Sequence, residues 1–202
     1  GTYTFTMPSG RVEVRAGFAE DNGAQGLFAD VPADSYYYDA VRWAVEADIT
    51  GGVGGGLFAP DSACTRAQAV TFLWRAAGSP TVESTGGFAD VAGDSYYAQA
   101  VAWAVKNGIT DGTGPELFSP DADCTRAQIA AFLYRYMQSR GEGFTGAWMF
   151  QLPFTDVPEW CYEAVAWCYM KGVTDGTSAA TFSPDADCTR AQILTFLYRC
   201  MG

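Results

Sequence analysis

The chain has 202 residues, 49% of them hydrophobic, with 23 acidic against 12 basic side chains and a net charge of −11. That length and apolar content suffice for one or two ordinary cores, while the acidic balance excludes general nucleic-acid binding, which relies on basic surface to neutralise phosphate. Histidine is absent from the sequence, which removes Ser-His-Asp and Cys-His catalysis and the commonest metal ligand.

In chain order, "TYTFTM" and "RVEVRAGF" alternate polar and apolar residues around Pro8-Ser9-Gly10. That period of two predicts a β-hairpin over residues 1–20, too small to be stable alone. It is similar to the last strands of a bacterial Ig-like or β-repeat module, and the start without Met reads as a fragment. No apolar run approaches the roughly 20 residues that span a bilayer, so membrane insertion is not expected.

From residue 28 the sequence repeats itself. Three units, 28–80, 88–140 and 154–202, are joined by "SPTVESTGG" and "SRGEGFTGAWMFQLP", which read as linkers. Each unit predicts helix–loop–helix. In the first helix of the second unit Tyr97, Ala100, Val101, Ala104 and Val105 follow the spacing of one helical face, and Asn107-Gly108 supplies a C-cap. The second helices open on "TRAQ" at 65–68, 125–128 and 189–192. Thr65, Thr125 and Thr189 are good N-caps, and Gln68, Gln128 and Gln192 complete capping boxes. Ile129, Phe132, Leu133 and Tyr136 then share a face. The cysteine before each threonine reads as a hydrophobic staple against the residue five positions on, for example Cys124 with Ile129.

A helix pair of about 50 residues cannot bury its own apolar faces well. Residues 28–202 are therefore expected to form one compact, mainly α-helical domain with pseudo-threefold symmetry. Cys64, Cys124 and Cys188 sit at equivalent positions and read as buried hydrophobes; Cys161, Cys168 and Cys200 are the remaining candidates for disulfide pairing.

Arg66, Arg126 and Arg190 stand in the first turn of the second helices, where a cation opposes the helix dipole by a few tenths to about 1 kcal/mol. Either an ion pair with Asp61, Asp121 and Asp185 or an anionic ligand would hold them there. Arg75, Arg135 and Arg199, further along, read as exposed or structural. Trp43, Trp103 and Trp167 suit either packing or a sugar-stacking platform. Gly52, Gly112 and Gly176 permit tight turns or close approach of backbone to a sugar. The "PDADC" aspartates lack EF-hand spacing and the cysteines form no CxxC pair, so neither metal nor other cofactor is implied. No acidic pair sits in a cleft-forming context, which argues against a glycosidase.

The order Phe-x-Asp-Val, aromatic helix, "GIT-x-G", "LFSPD" and "TRAQ" resembles the S-layer homology repeat, three copies of which cover residues 28–202. The resemblance implies a pseudo-trimeric spindle that is not an enzyme. Such a module holds an exported protein on the outside of the cell, non-covalently, by binding a cell-wall polysaccharide that often bears ketal-linked pyruvate. The glycan lies in grooves between repeats, and the arginine of the Thr-Arg-Ala-Glu motif contributes, which here implies Arg66, Arg126 and Arg190. The motif's acid is glutamine in all three copies, so the grooves are expected to be more positive. An anion is also expected to meet the unpaired N–H groups of the same helix turn. A protein–protein assembly module using the same grooves is the alternative.

Overall fold

The computed structural model describes residues 27–83, 87–144 and 150–202; the hairpin expected over 1–20 lies outside them. Six helices follow in order: α1 (Tyr38–Glu46), α2 (Arg66–Ala76), α3 (Ala98–Lys106), α4 (Arg126–Ser139), α5 (Glu159–Met170) and α6 (Arg190–Met201). Each repeat supplies two. Among the described residues, extended pairing is confined to isolated bridges, so the fold is mainly helical, as the sequence predicts.

Three features of local chemistry set the helix boundaries. Thr65, Thr125 and Thr189 each accept from the backbone N–H of the glutamine three residues on, and that glutamine's side chain accepts from the threonine N–H. All three capping boxes are complete. At the far end of α3, Asn107 is the C-cap and Gly108 takes the left-handed conformation, φ +67°. The third repeat is shorter ahead of its first helix, so α5 begins directly after Pro158 and carries Trp160 in its first turn, whereas α1 and α3 begin after Tyr37 and Tyr97.

Packing then runs cyclically. The second helix of each repeat lies against the first helix of the next, α2 on α3, α4 on α5 and α6 on α1, while α2, α4 and α6 touch one another in the middle. Because α4 meets neighbours on several sides, Ile129, Phe132, Leu133 and Tyr136 are buried together with Ala130, Tyr134 and Met137. In α3 the buried side includes Trp103, and Val105 turns out to solvent at 42% exposure. Ala100, Val101 and Ala104 of the expected face are buried and Tyr97 packs against the core, so Val105 alone departs from it, while Trp103 is covered by its contact with Tyr136.

The cysteines close the axis. Cys64 N–H donates to Cys188 O at 3.0 Å, Cys124 to Cys64 O at 2.8 Å and Cys188 to Cys124 O at 2.8 Å, a ring of three backbone bonds that no single repeat can make. All three side chains are fully buried, and all six cysteines in the chain are unpaired. Burial pushes the Cys124 and Cys188 thiols up to about 12 and raises Cys64 as well. Thiolate is the reactive species, so native protein at pH 8 is expected to resist a thiol reagent at these positions until denaturant is added. Rapid native labelling of all three, read by peptide mass spectrometry, would contradict the closed axis.

Candidate functional site

Three cavities of 330–360 Å3 lie between the repeats, and each is built from all three of them. In the first groove the floor comes from the first repeat: Thr50, Gly52, Gln68, Phe72 and Arg75. Tyr96 of the second repeat and Arg190 of the third complete it. The second groove takes Gly112, Gln128 and Arg135 from the second repeat, Trp160 from the third and Arg66 from the first. The third takes Gly176, Gln192 and Arg199 from the third repeat, Tyr36 from the first and Arg126 from the second. Each motif arginine thus serves the groove of the following repeat.

The arginines are 3–4% exposed. Their Nε atoms donate across the repeat boundary: Arg66 to Phe118 O, Arg126 to Phe182 O and Arg190 to Phe58 O, each at 2.9 Å. Each guanidinium also lies over two phenylalanine rings, for Arg66 Phe118 and Phe132 at 4.8 and 5.5 Å from the ring centroids. Among the described residues no ion pair joins them to Asp61, Asp121 or Asp185, which are exposed. The Nη2 atom of every one is buried without a hydrogen-bond partner. Burial pulls all three guanidinium groups below their usual pKa, yet arginine remains charged in proteins. A buried cationic N–H with no acceptor costs free energy that an anion in the groove would recover.

The helix N-termini offer nothing further. Arg66 N–H donates to Ala122 O at 2.8 Å, Ala67 N–H to Pro120 O at 3.0 Å, and Gln68 N–H to the Thr65 hydroxyl at 3.3 Å. The same pattern recurs at α4 and α6. The unpaired N–H groups expected at these turns are consumed by the neighbouring repeat and by the capping threonine, which leaves the guanidinium as the group of this turn with an unpartnered donor.

The clamp continues behind the arginine. Asp30 of the Phe-x-Asp-Val segment accepts from Phe58 N–H at 2.8 Å and Ala59 N–H at 2.7 Å; Asp90 and Asp156 hold Phe118-Ser119 and Phe182-Ser183 in the same way. This fixes Ala59, Ser119 and Ser183 at positive φ. Burial alone would raise the Asp30 and Asp156 carboxyls, but the paired backbone N–H groups hold them below the usual range. A carboxyl whose folded pKa is depressed contributes stability above its unfolded value of about 3.9, lost as pH falls through the folded value. Melting temperature should therefore drop below about pH 4, and Asp30→Asn should lower it at neutral pH while shallowing the acid limb. An unchanged acid limb in Asp30→Asn and Asp156→Asn together would remove the clamp from the account.

Gly52, Gly112 and Gly176 line the grooves at φ +81°, +85° and +83°. A methyl at Gly112 would run into Leu117 O and the Phe88 ring, with equivalent clashes at the other two. The tryptophans stand elsewhere. Trp43 packs on Tyr198, Trp103 on Tyr136 and Trp167 on Tyr134, with the Trp167 indole donating to Glu142 O at 3.1 Å. None of the three lines a groove. The aromatic rim is instead Tyr36, Tyr96 and Trp160, 60–68% exposed. Their signal in the sequence is an aromatic recurring at the approach to each first helix. Arg75, Arg135 and Arg199 also face the grooves, each Nη1 donating to the carbonyl of Ile49, Ile109 or Val173. These carbonyl bonds agree with their reading as structural, and their position on α2, α4 and α6 does not reveal in the sequence that they also line the grooves.

The S-layer homology domain model matches residues 27–70, 87–130 and 153–194. The chain belongs to the S-layer homology family. It is 29% identical over 98% of its length to an S-layer protein of Bacillus thuringiensis subsp. finitimus, covering 23% of that protein. It is 32% identical over 66% of its length to the S-layer protein sap of Bacillus anthracis, covering 16% of it. It is 29% identical over 73% of its length to a cellulosome-anchoring protein of Acetivibrio thermocellus, covering 34%. S-layer homology domains are non-catalytic anchoring modules that bind cell-wall polysaccharide, which places this one outside the cell at the wall. The chain spans about a third or less of each of these relatives.

Proposed function

We propose that the three grooves bind an anionic wall glycan, with ketal-linked pyruvate as the group seated on Arg66, Arg126 and Arg190. The observation that carries this is that the arginine each groove takes from the preceding repeat has a buried Nη2 with no hydrogen-bond partner. A carboxylate satisfies it by a charge-assisted bond, roughly twice as strong as a neutral one. The exposed ring of Tyr36, Tyr96 or Trp160 on the rim then stacks on a sugar face, and the glycine-held loops supply backbone polar groups at close range. Through these contacts the chain fastens a larger exported protein to the wall. Trp43 and Trp167 support the grooves by packing across repeat interfaces, and Trp103 by packing within the second repeat.

Calorimetry with purified wall polysaccharide before and after removal of pyruvate by mild acid tests this. The intact glycan is expected to bind about ten- to a hundredfold more tightly, the equivalent of one charge-assisted contact worth about 1.5–3 kcal/mol. Equal affinity for both preparations would sink the pyruvate assignment. Binding to a surface protein with no response to either glycan would favour an assembly role for the same grooves.

A further inference from the structure

The three grooves share their arginines but differ in one charge. The residue before the loop glycine is Gly51 in the first repeat, Asp111 in the second and Asp175 in the third. In the third groove Asp175 Oδ2 lies 3.0 Å from Arg199 Nη1, so the second guanidinium of that groove is already ion-paired. In the first groove Gly51 leaves no carboxylate, and Arg75 Nη1 is held by Ile49 O at 2.9 Å with no ion pair among the described residues. Asp61, Asp121 and Asp185 recur in all three repeats and do not separate the grooves.

We propose that the residue before the loop glycine sets the charge preference of each groove through the second arginine. Gly51 leaves Arg75, the second guanidinium of the first groove, without a carboxylate partner among the described residues, which suits a glycan unit carrying a second negative charge beside the pyruvate. Asp175 neutralises the second guanidinium of the third groove, which then suits a singly charged unit. This rests on the anionic-glycan reading of the grooves. It assigns to Gly51, Asp175 and Arg75 a part in specificity rather than in folding.

The site makes the exchange experiment clean. Gly51 is not among the positive-φ glycines, and a Cβ built on it meets no atom within 4 Å, so Gly51→Asp fits without strain. The Asp175 side chain is 78% exposed, so Asp175→Asn removes the charge without opening the core. Two probes suffice: a methyl hexoside bearing one ketal-linked pyruvate, and the same hexoside with an added phosphate ester. Titration of the full chain followed by nitrogen-proton NMR reads the grooves separately through the Gly52 and Gly176 amides.

The preference for the phosphorylated probe over the plain one is expected to be about two- to fivefold greater at Gly52 than at Gly176, the range of one partly exposed charge pair. Gly51→Asp should erase that difference from the first groove, and Asp175→Asn should create it in the third. The same preference in both grooves, or substitutions that leave it unmoved while both probes bind, would overturn the inference. Failure of either probe to bind any groove would instead overturn the underlying reading, and this one with it.

Discussion

A chain ending at residue 144, carrying the first two repeats alone, is expected to lose both its cooperative fold and all glycan binding. The reason is the cyclic packing. Without α5 and α6, the faces of α4 and α1 that they cover are left in water. Val165, Trp167, Ile193, Leu194 and Leu197, all buried, go with them. Apolar side chains of this kind contribute about 1.5–3 kcal/mol each on burial, so the loss is roughly 10 kcal/mol, comparable with the whole net stability of a domain. Two of the three bonds in the axial cysteine ring go as well, since Cys188 makes both. Every groove is damaged at once: the first loses Arg190, the second loses Trp160 and the third disappears. Circular dichroism and analytical ultracentrifugation should show either a largely unfolded chain or an assembly that restores the missing neighbours by exchange between copies. A monomer with native helix content and a sharp melt would show that the repeats are separable units.

Local chemistry explains which features could be read from sequence. The capping boxes at Thr65, Thr125 and Thr189 involve four consecutive residues, so donor and acceptor are both visible in "TRAQ". The Asn107-Gly108 stop is equally local. What escaped sequence reasoning depends on docking between repeats. Arg66 binds a carbonyl 52 residues away and Arg190 one 132 residues away, with the neighbour identified only by the direction of the cyclic packing. The unpaired N–H groups expected at the helix starts vanish for the same reason, because Ala122, Ala186 and Ser62 present their carbonyls from adjacent loops. Trp43, Trp103 and Trp167 stayed open between packing and a sugar platform because tryptophan marks both, and their contacts with Tyr198, Tyr136 and Tyr134 are ones no local pattern shows. Tyr36, Tyr96 and Trp160 stand at equivalent positions, but two are tyrosines and one a tryptophan, which hides the repeat.

Arg126→Ala is expected to silence the third groove while leaving the second intact. The assignment follows from Arg126 reaching out of its own repeat: its Nε donates to Phe182 O, and its guanidinium lies 4.9 and 5.4 Å from the centroids of Phe182 and Phe196. In the free protein the substitution removes a buried hydrogen bond and two cation–π contacts, and strands the Phe182 carbonyl. It also removes a buried charge with an unsatisfied Nη2, whose desolvation opposed folding. These effects partly cancel, so the stability cost should be modest, about 1–3 kcal/mol. Binding has no such cancellation. The ligand carboxylate loses its charge-assisted partner outright, and affinity at the third groove should fall at least ten- to a hundredfold. Arg126→Lys keeps the charge, but an ammonium lacks the planar fork that lets one nitrogen hold Phe182 O while another faces the groove. It should restore part of the stability and little of the binding. The readout is the Gly176 amide during titration with pyruvylated glycan, with Gly112 as the internal control. Loss at Gly112 instead would place Arg126 in the groove of its own repeat and break the cyclic assignment. Undiminished response at Gly176 in a folded Arg126→Ala protein would make the arginine a purely structural bridge.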